Sequence, residues 1–199
     1  MEQQFYNTIE TPAFTEYKDR GSTFLSFAYP VNTTDDFKRC LFELKKEHPK
    51  ATHHCFAYRI GNDGNTFRVS DAGEPSGTAG KPILGQIDSK KLTNTLVVVV
   101  RYFGGTLLGV PGLINAYKSA TALVLQLTPL IQKAVESVYT LQFDYTQINE
   151  VMMIVKQFNC TILEKNIQLF CYLKLGIPLN RQDEVAYRLS EIKGLSFEV

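Results

Sequence analysis

The spacing of apolar residues divides the chain into short strands and amphipathic helices, with a change of rhythm near residue 134. Ala13 to Tyr17, behind Pro12, and Ser22 to Val31 read as strands on either side of Asp19-Arg20-Gly21, a hairpin-type turn signal. Thr33-Thr34-Asp35-Asp36 offers an N-cap and an acidic first turn. Phe37, Cys40, Leu41 and Leu44 follow at helical spacing, and Pro49 ends that helix. His53 to Ile60 reads as a strand, closed by the turn Gly61-Asn62-Asp63-Gly64. Another strand near Thr66 to Val69 leads into the loop Asp71 to Gly77, and a helix is predicted from about Thr78 to Ile87. Thr95 to Tyr102 is a continuous β-branched run, the pattern of a central strand buried on both faces. A helix opened by Pro111 carries Leu113, Tyr117, Ala120, Val124 and Leu127 as its apolar stripe, and Pro129 stops it.

Beyond residue 134 the order is strand (Ser137–Asp144), helix (Gln147–Phe158), strand (Cys160–Glu164), strand (Gln168–Gly176), helix (Gln182–Ile192) and strand (Leu195–Val199). Ile148, Val151, Met152 and Val155 line one helix; Val185, Leu189 and Ile192 line the other. Asn166 falls in a tight connection between the middle strands. A βαββαβ order is the ferredoxin-like split, with two helices on one face of a four-stranded sheet. The fold class expected is therefore α+β in two domains, 1–133 and 134–199, joined by a short link around Gln132-Lys133-Ala134.

Composition narrows the setting. Hydrophobic residues make up 44% and charged residues 21% of the 199, the balance of a folded globular protein rather than a disordered one. The longest aliphatic run, Leu96 to Val100, is strand-sized, and Met1-Glu2-Gln3-Gln4 does not resemble a secretory signal. Four cysteines without a CxxC pair imply reduced, mostly buried thiols, so a cytoplasmic location without membrane association is expected. Residues 1–134 hold 15 Lys+Arg against 12 Asp+Glu, or +3, and residues 135–199 hold 6 against 8, or −2. That excess is too small for a strongly basic nucleic-acid-binding domain.

Two glycine-rich stretches carry the candidate chemistry. In Ser70-Asp71-Ala72-Gly73-Glu74-Pro75-Ser76-Gly77-Thr78-Ala79-Gly80-Lys81-Pro82, Ser76 or Thr78 can cap the following helix, whose N-terminus favours an anion. Asp71 and Glu74 add carboxylates there, and Lys81 a cation. One reading is a phosphate cradle, although the string is not a Walker loop. The other is a capped turn whose carboxylates bond to nearby amides or to an arginine. In Arg101-Tyr102-Phe103-Gly104-Gly105-Thr106-Leu107-Leu108-Gly109-Val110-Pro111-Gly112, a strand end meets a helix start. Arg101 can pair with Asp71 or Glu74 or reach a phosphate, and the pairing is the commoner use of a buried guanidinium. Tyr102 and Phe103 are either stacking platforms or core. In His53-His54-Cys55, a strand puts His53 and Cys55 on one face and His54 on the other, so the three do not ligate one metal together. A partly buried histidine bonded to the glycine-rich loop is expected instead.

With these residues in view the chain resembles the YigZ/IMPACT family. The resemblance rests on Ala51-Thr52-His53-His54-Cys55-Phe56-Ala57-Tyr58-Arg59, on Ser70 to Gly80, and on Val99-Val100-Arg101-Tyr102-Phe103-Gly104-Gly105, extended by Gly109, Gly112-Leu113 and Ala116-Tyr117. Ala72, Pro111 and Asn115 depart from residues common in the family: an aspartate, a glycine and a Lys or Arg. These departures weaken acid–base or two-metal chemistry in the first stretch and phosphate binding in the second. The resemblance implies a β-α-β first domain of the type shared by ribosomal proteins and domain IV of elongation factor G, and a second domain similar to domain V of that factor. It also implies that eukaryotic IMPACT relatives regulate translation by protein contact, and that bacterial members associate with nucleic acid or ribosomes.

The function expected is a non-catalytic, translation-associated regulator binding ribosome or RNA. Its rivals are an enzyme acting on a small phosphorylated or nucleotide ligand and a protein-interaction module. Candidate binding residues are His54, Arg59, Asp71, Glu74, Ser76, Thr78, Lys81, Arg101, Tyr102, Gly104 and Gly105, with no catalytic residue, metal ligand or cofactor assigned.

Overall fold

Thr95–Tyr102, the unbroken β-branched run, is the middle strand of a five-stranded antiparallel sheet. A computed structural model of the chain describes residues 3–199. The chain divides into two compact units: Tyr6–Lys133, and Ala134–Val199 together with the N-terminal residues up to Phe5.

Up to residue 134 the strands are β1 (Phe5–Ile9), β2 (Ala13–Asp19), β3 (Ser22–Pro30), β4 (His53–Ile60), β5 (Thr66–Ser70), β6 (Thr95–Tyr102) and β7 (Leu130–Ala134). The helices are α1 (Thr34–Glu47), α2 (Gly80–Ser89) and α3 (Gly109–Leu127). The main sheet has the order β2-β3-β6-β4-β5, and β1 pairs with β7 separately. Because side chains alternate along a strand, β6 feeds two cores. Val97 and Val99 pack with Ile83, Ile87, Tyr117 and Val124 of α2 and α3. Leu96, Val98 and Val100 pack on the other face with Phe37 and Leu44 of α1.

The start of α1 is fixed by a capping box: Thr33 Oγ1 accepts from the Asp36 amide while the Asp36 carboxylate accepts from the Thr33 amide, a device worth about 1 kcal/mol. Helix α3 opens two residues ahead of Pro111, which sits in the first turn, where a missing N–H costs nothing. Leu127 leaves the expected stripe: it is exposed at the helix end, and Thr121 and Leu125 are buried instead. The pattern did not predict β1 or β7. A two-stranded ribbon with mostly exposed or half-buried positions leaves no regular alternation to read.

The second unit runs β8 (Glu136–Asp144), α4 (Ile148–Gln157), β9 (Thr161–Asn166), β10 (Phe170–Pro178), α5 (Gln182–Ser190) and β11 (Ser196–Glu198). Its sheet order, β11-β8-β10-β9, antiparallel throughout, is that of the expected ferredoxin-like split. Leu141 and Phe143 of β8 and Leu173 and Leu175 of β10 form one core with Val151 of α4 and Val185 and Leu189 of α5. Asn166 is the last residue of β9, and residues 167–169 make the connection to β10. Among the described residues no helix is long and apolar enough to cross a membrane.

Candidate functional site

Strand alternation sorts the candidates onto two faces. His53 of β4 and Arg101 of β6 are direct cross-strand partners on the face covered by α2 and α3, where Cys55 is also buried. His54 and Tyr102, one residue further along each strand, point to the α1 face. There the Tyr102 hydroxyl lies 3.0 Å from His48 Nδ1, and Tyr102 packs against the α1-side core. Burial, and then the charges of Lys45 and His48, hold the His54 imidazole below its ordinary value. The histidine bonded to the glycine-rich loop is therefore His53, whose Nδ1 lies 2.9 Å from the Ala72 carbonyl. Since a carbonyl only accepts, Nδ1 carries the proton. Arg59 lies apart from this group, bonded to both carboxylate oxygens of Asp88 (2.5 and 3.1 Å) and to the Gly64 carbonyl.

The centre of the site is a buried ion pair. Arg101 Nη1 donates to Glu74 Oε1 at 2.6 Å, and the Tyr117 hydroxyl donates to the same oxygen at 2.8 Å. Both ion-pair side chains are nearly sealed from solvent, at 6% and 3% exposure. Arg101 Nη2 reaches Ser22 Oγ at 3.3 Å, and that hydroxyl also accepts from the Gly104 amide. The guanidinium carbon lies 5.5 Å from the Phe24 ring centroid and 5.6 Å from that of Phe103. His53 Nε2 stands 3.7 Å from Glu74 Oε1. Cys55 Sγ lies 3.0 Å from the Asp71 carbonyl and 3.3 Å from the Tyr117 hydroxyl. Burial is the main reason its thiol is pushed up to about 12. Burial, with Cys55 and Glu74 beside it, drives the Tyr117 phenol far above its ordinary value, so it stays a donor.

The first glycine-rich stretch caps α2 from a distance. Asp71 Oδ2 accepts from the Gly77 amide at 2.8 Å, and Oδ1 from the Ala79 and Gly80 amides at 3.0 and 2.8 Å. Burial raises the Asp71 carboxyl, but those amides and the Lys81 charge outweigh it, so the group titrates below the ordinary carboxylate value. The expected capping by Ser76 or Thr78 is replaced by this arrangement. Ser76 is exposed, and the buried Thr78 hydroxyl donates to the Pro75 carbonyl at 2.7 Å. The anion seat at the helix N-terminus is thus filled by the chain's own Asp71, which removes the phosphate cradle at that position. Lys81 is exposed beside it.

The second stretch reverses direction against the β2–β3 turn. A Cβ on Gly104 would overlap the backbone of Gly21, so only glycine allows this approach. Gly105 is exposed at the same turn.

Between the two stretches, within the first unit, lies a cavity of about 440 Å³. Its floor is His53, Glu74 and Arg101; Leu108 and Leu113 are buried walls, and Phe103, Leu107 and Val110 form an exposed apolar lip. Of the sequence candidates, Glu74 and Arg101 line the cavity, and Asp71 and Gly104 bond to Cys55 and Ser22 of the surrounding network. Ser76 and Thr78 belong to the turn ahead of α2 and Lys81 to its first turn, Gly105 is exposed, and His54, Arg59 and Tyr102 lie elsewhere. The residues missed are Ser22, His53 as the loop's partner, Tyr117 as a polar member, and the lip. A tyrosine inside an otherwise apolar helical stripe was the one available signal, since a buried phenol needs a partner. Among the described residues no group of three or more His, Cys, Asp or Glu is placed to hold a metal.

The Impact N-terminal domain is matched over residues 20–125, a span containing both glycine-rich stretches and the whole cavity. The chain belongs to the IMPACT family. An IMPACT family member of Haemophilus influenzae is 33% identical over 178 residues, covering 88% of this chain and 86% of its own. The IMPACT family member YigZ of Escherichia coli is 32% identical over 182 residues, covering 90% and 89%. The crystal structure of a hypothetical protein superposes with a TM-score of 0.77 at 29% identity, covering 98% of this chain and 97% of that one. Similarity to IMPACT proteins therefore extends through both units.

Proposed function

We propose that this IMPACT-family chain is a non-catalytic, translation-associated regulator in the cytoplasm, and that it engages the ribosome through the cavity between its two glycine-rich stretches. The observation that carries the reading is an apolar lip over a charge network already neutralised from within. Acid–base work needs a carboxylate free to exchange protons, but Asp71 is held by three amides and Glu74 by Arg101 and Tyr117. Nucleophilic work needs an accessible thiolate, and Cys55 is buried with its thiol pushed up to about 12. Phosphate contact needs free cations, while Arg101 in the cavity and Arg59 are both paired, and Lys81 is left exposed at the start of α2. At the cavity itself the exposed apolar residues Phe103, Leu107 and Val110 are what remains for recognition. The direction towards translation rests on the family resemblance.

Sedimentation of tagged protein with ribosomes through a sucrose gradient tests this. Co-migration is expected to persist at moderate salt, to survive Lys81→Ala, and to be lost with Leu107→Asp. Protein that stays at the top of the gradient even at low salt overturns the reading.

A further inference from the structure

We infer that the cavity receives one tyrosine or tryptophan side chain of a partner protein, its ring between the apolar walls and its neutral O–H or N–H donated to Glu74 Oε2. The partner is the one implied by the regulator reading above; the chemistry of the pocket is argued from its own atoms.

The floor determines the head group. Glu74 Oε1 is committed to Arg101 and Tyr117, whereas among the described residues no hydrogen bond is donated to Oε2 of the same carboxylate. His53 gives its Nδ1 proton to the Ala72 carbonyl, and its Nε2 stands 3.7 Å from Glu74 Oε1. What the floor lacks is therefore a donor. A carboxylate or phosphate would set one acceptor against another. An ammonium or guanidinium would place a second positive charge beside Arg101, whose own charge already balances Glu74. A neutral donor is the head that fits.

The walls determine the body. A cavity of about 440 Å³ bounded by Leu108, Leu113, Phe103 and Val110 accommodates a large aromatic ring and leaves a serine or threonine side chain mostly unpacked. Tyrosine and tryptophan join such a ring to a neutral donor, and they are the side chains most enriched at energetic centres of protein interfaces. A nucleobase also carries neutral donors, but it arrives with phosphates, and the cavity's single cation, Arg101, is buried and paired. The lip is apolar: Leu107 is 82% exposed, a surface matched to protein.

The chain contains no tryptophan, so the fluorescence of a tryptophan peptide is read against a dark background. Capped Gly-Ser-Xaa-Ser-Gly peptides with tryptophan, tyrosine, phenylalanine or lysine at the centre, and adenosine, serve as probes. The tryptophan emission is expected to move to shorter wavelength on binding. Tyrosine should compete well, phenylalanine about tenfold more weakly because the buried Glu74 Oε2 stays unpaired, and lysine and adenosine not at all. Val110→Glu, on an exposed position, should abolish binding without changing the thermal melt. Four results each overturn the inference: no shift up to the solubility limit, equal competition by phenylalanine, displacement by adenosine, or binding that survives Val110→Glu. Ribosome sedimentation in parallel separates the two claims. Ribosome association without peptide binding removes the aromatic anchor and leaves the regulator. Peptide binding without ribosome association supports the anchor and removes the regulator.

Discussion

Glu74 and Arg101 meet at 2.6 Å beneath the second glycine-rich stretch, both buried, with Tyr117 donating to the same carboxylate oxygen. Two charges taken out of water gain little as a pair, but removing one strands the other. Glu74→Ala or Arg101→Ala is therefore expected to cost about 3–5 kcal/mol each. Glu74→Leu combined with Arg101→Met should cost clearly less than the sum of the two single changes. Urea unfolding of the parent and these three variants measures this; single costs near zero would contradict a sealed ion pair.

Asp71 should behave as a helix cap with a pH signature. Asp71→Ala is expected to lose about 1–2 kcal/mol at neutral pH. The folded-state carboxyl titrates below its ordinary value, so the unfolded chain takes up the proton first as pH falls. The contribution is complete above the ordinary aspartate range and disappears as pH drops through the depressed folded value. Urea unfolding of parent and variant should accordingly converge in acid. A gap that stays constant would mean that the carboxylate charge plays no part.

The two adjacent glycines of the second stretch should respond differently to alanine. Gly105→Ala puts a Cβ into open space but keeps a φ of +86°, costing about 1–2 kcal/mol. Gly104→Ala drives a Cβ into the Gly21 backbone and forces the turn apart, costing about 3 kcal/mol or more. Thermal melts of the pair decide it, with the opposite ranking arguing against the close approach.

Cysteine reactivity reports on the same network. With its thiol pushed up to about 12 by burial, Cys55 should be the last of the four cysteines to react with iodoacetamide in the native protein. Peptide mass spectrometry gives the order. Early labelling of Cys55 would mean that the Asp71–Glu74 loop opens readily.

Much of this architecture was readable because single physical causes dominate it. The β-branched run of β6 allowed little but a central strand, and the polar, acidic run Thr33-Thr34-Asp35-Asp36 marked where α1 begins. The candidate site was readable only in part. Arg101, Asp71 and Glu74 stand out as charges within glycine-rich stretches, but which charge meets which partner depends on strand register. A one-residue step separates His53, on the site, from His54, on the far side of the sheet. Ser22 lies 79 residues from its partner Arg101, beyond the reach of any local pattern. The cap on α2 was hidden for a similar reason: Asp71 precedes Gly80 by 9 residues, whereas capping rules look only to the next turn.

The unit boundary has a consequence for how the chain is made. The second unit claims residues from both ends of the sequence, and the Val135 amide bonds to the Gln4 carbonyl. Synthesis delivers one piece of that unit first and the rest last, with Tyr6–Lys133 emerging in between. The first unit has all of its residues before most of the second has left the ribosome. The second must wait, and a fragment beginning at Ala134 lacks the carbonyl that its own Val135 uses.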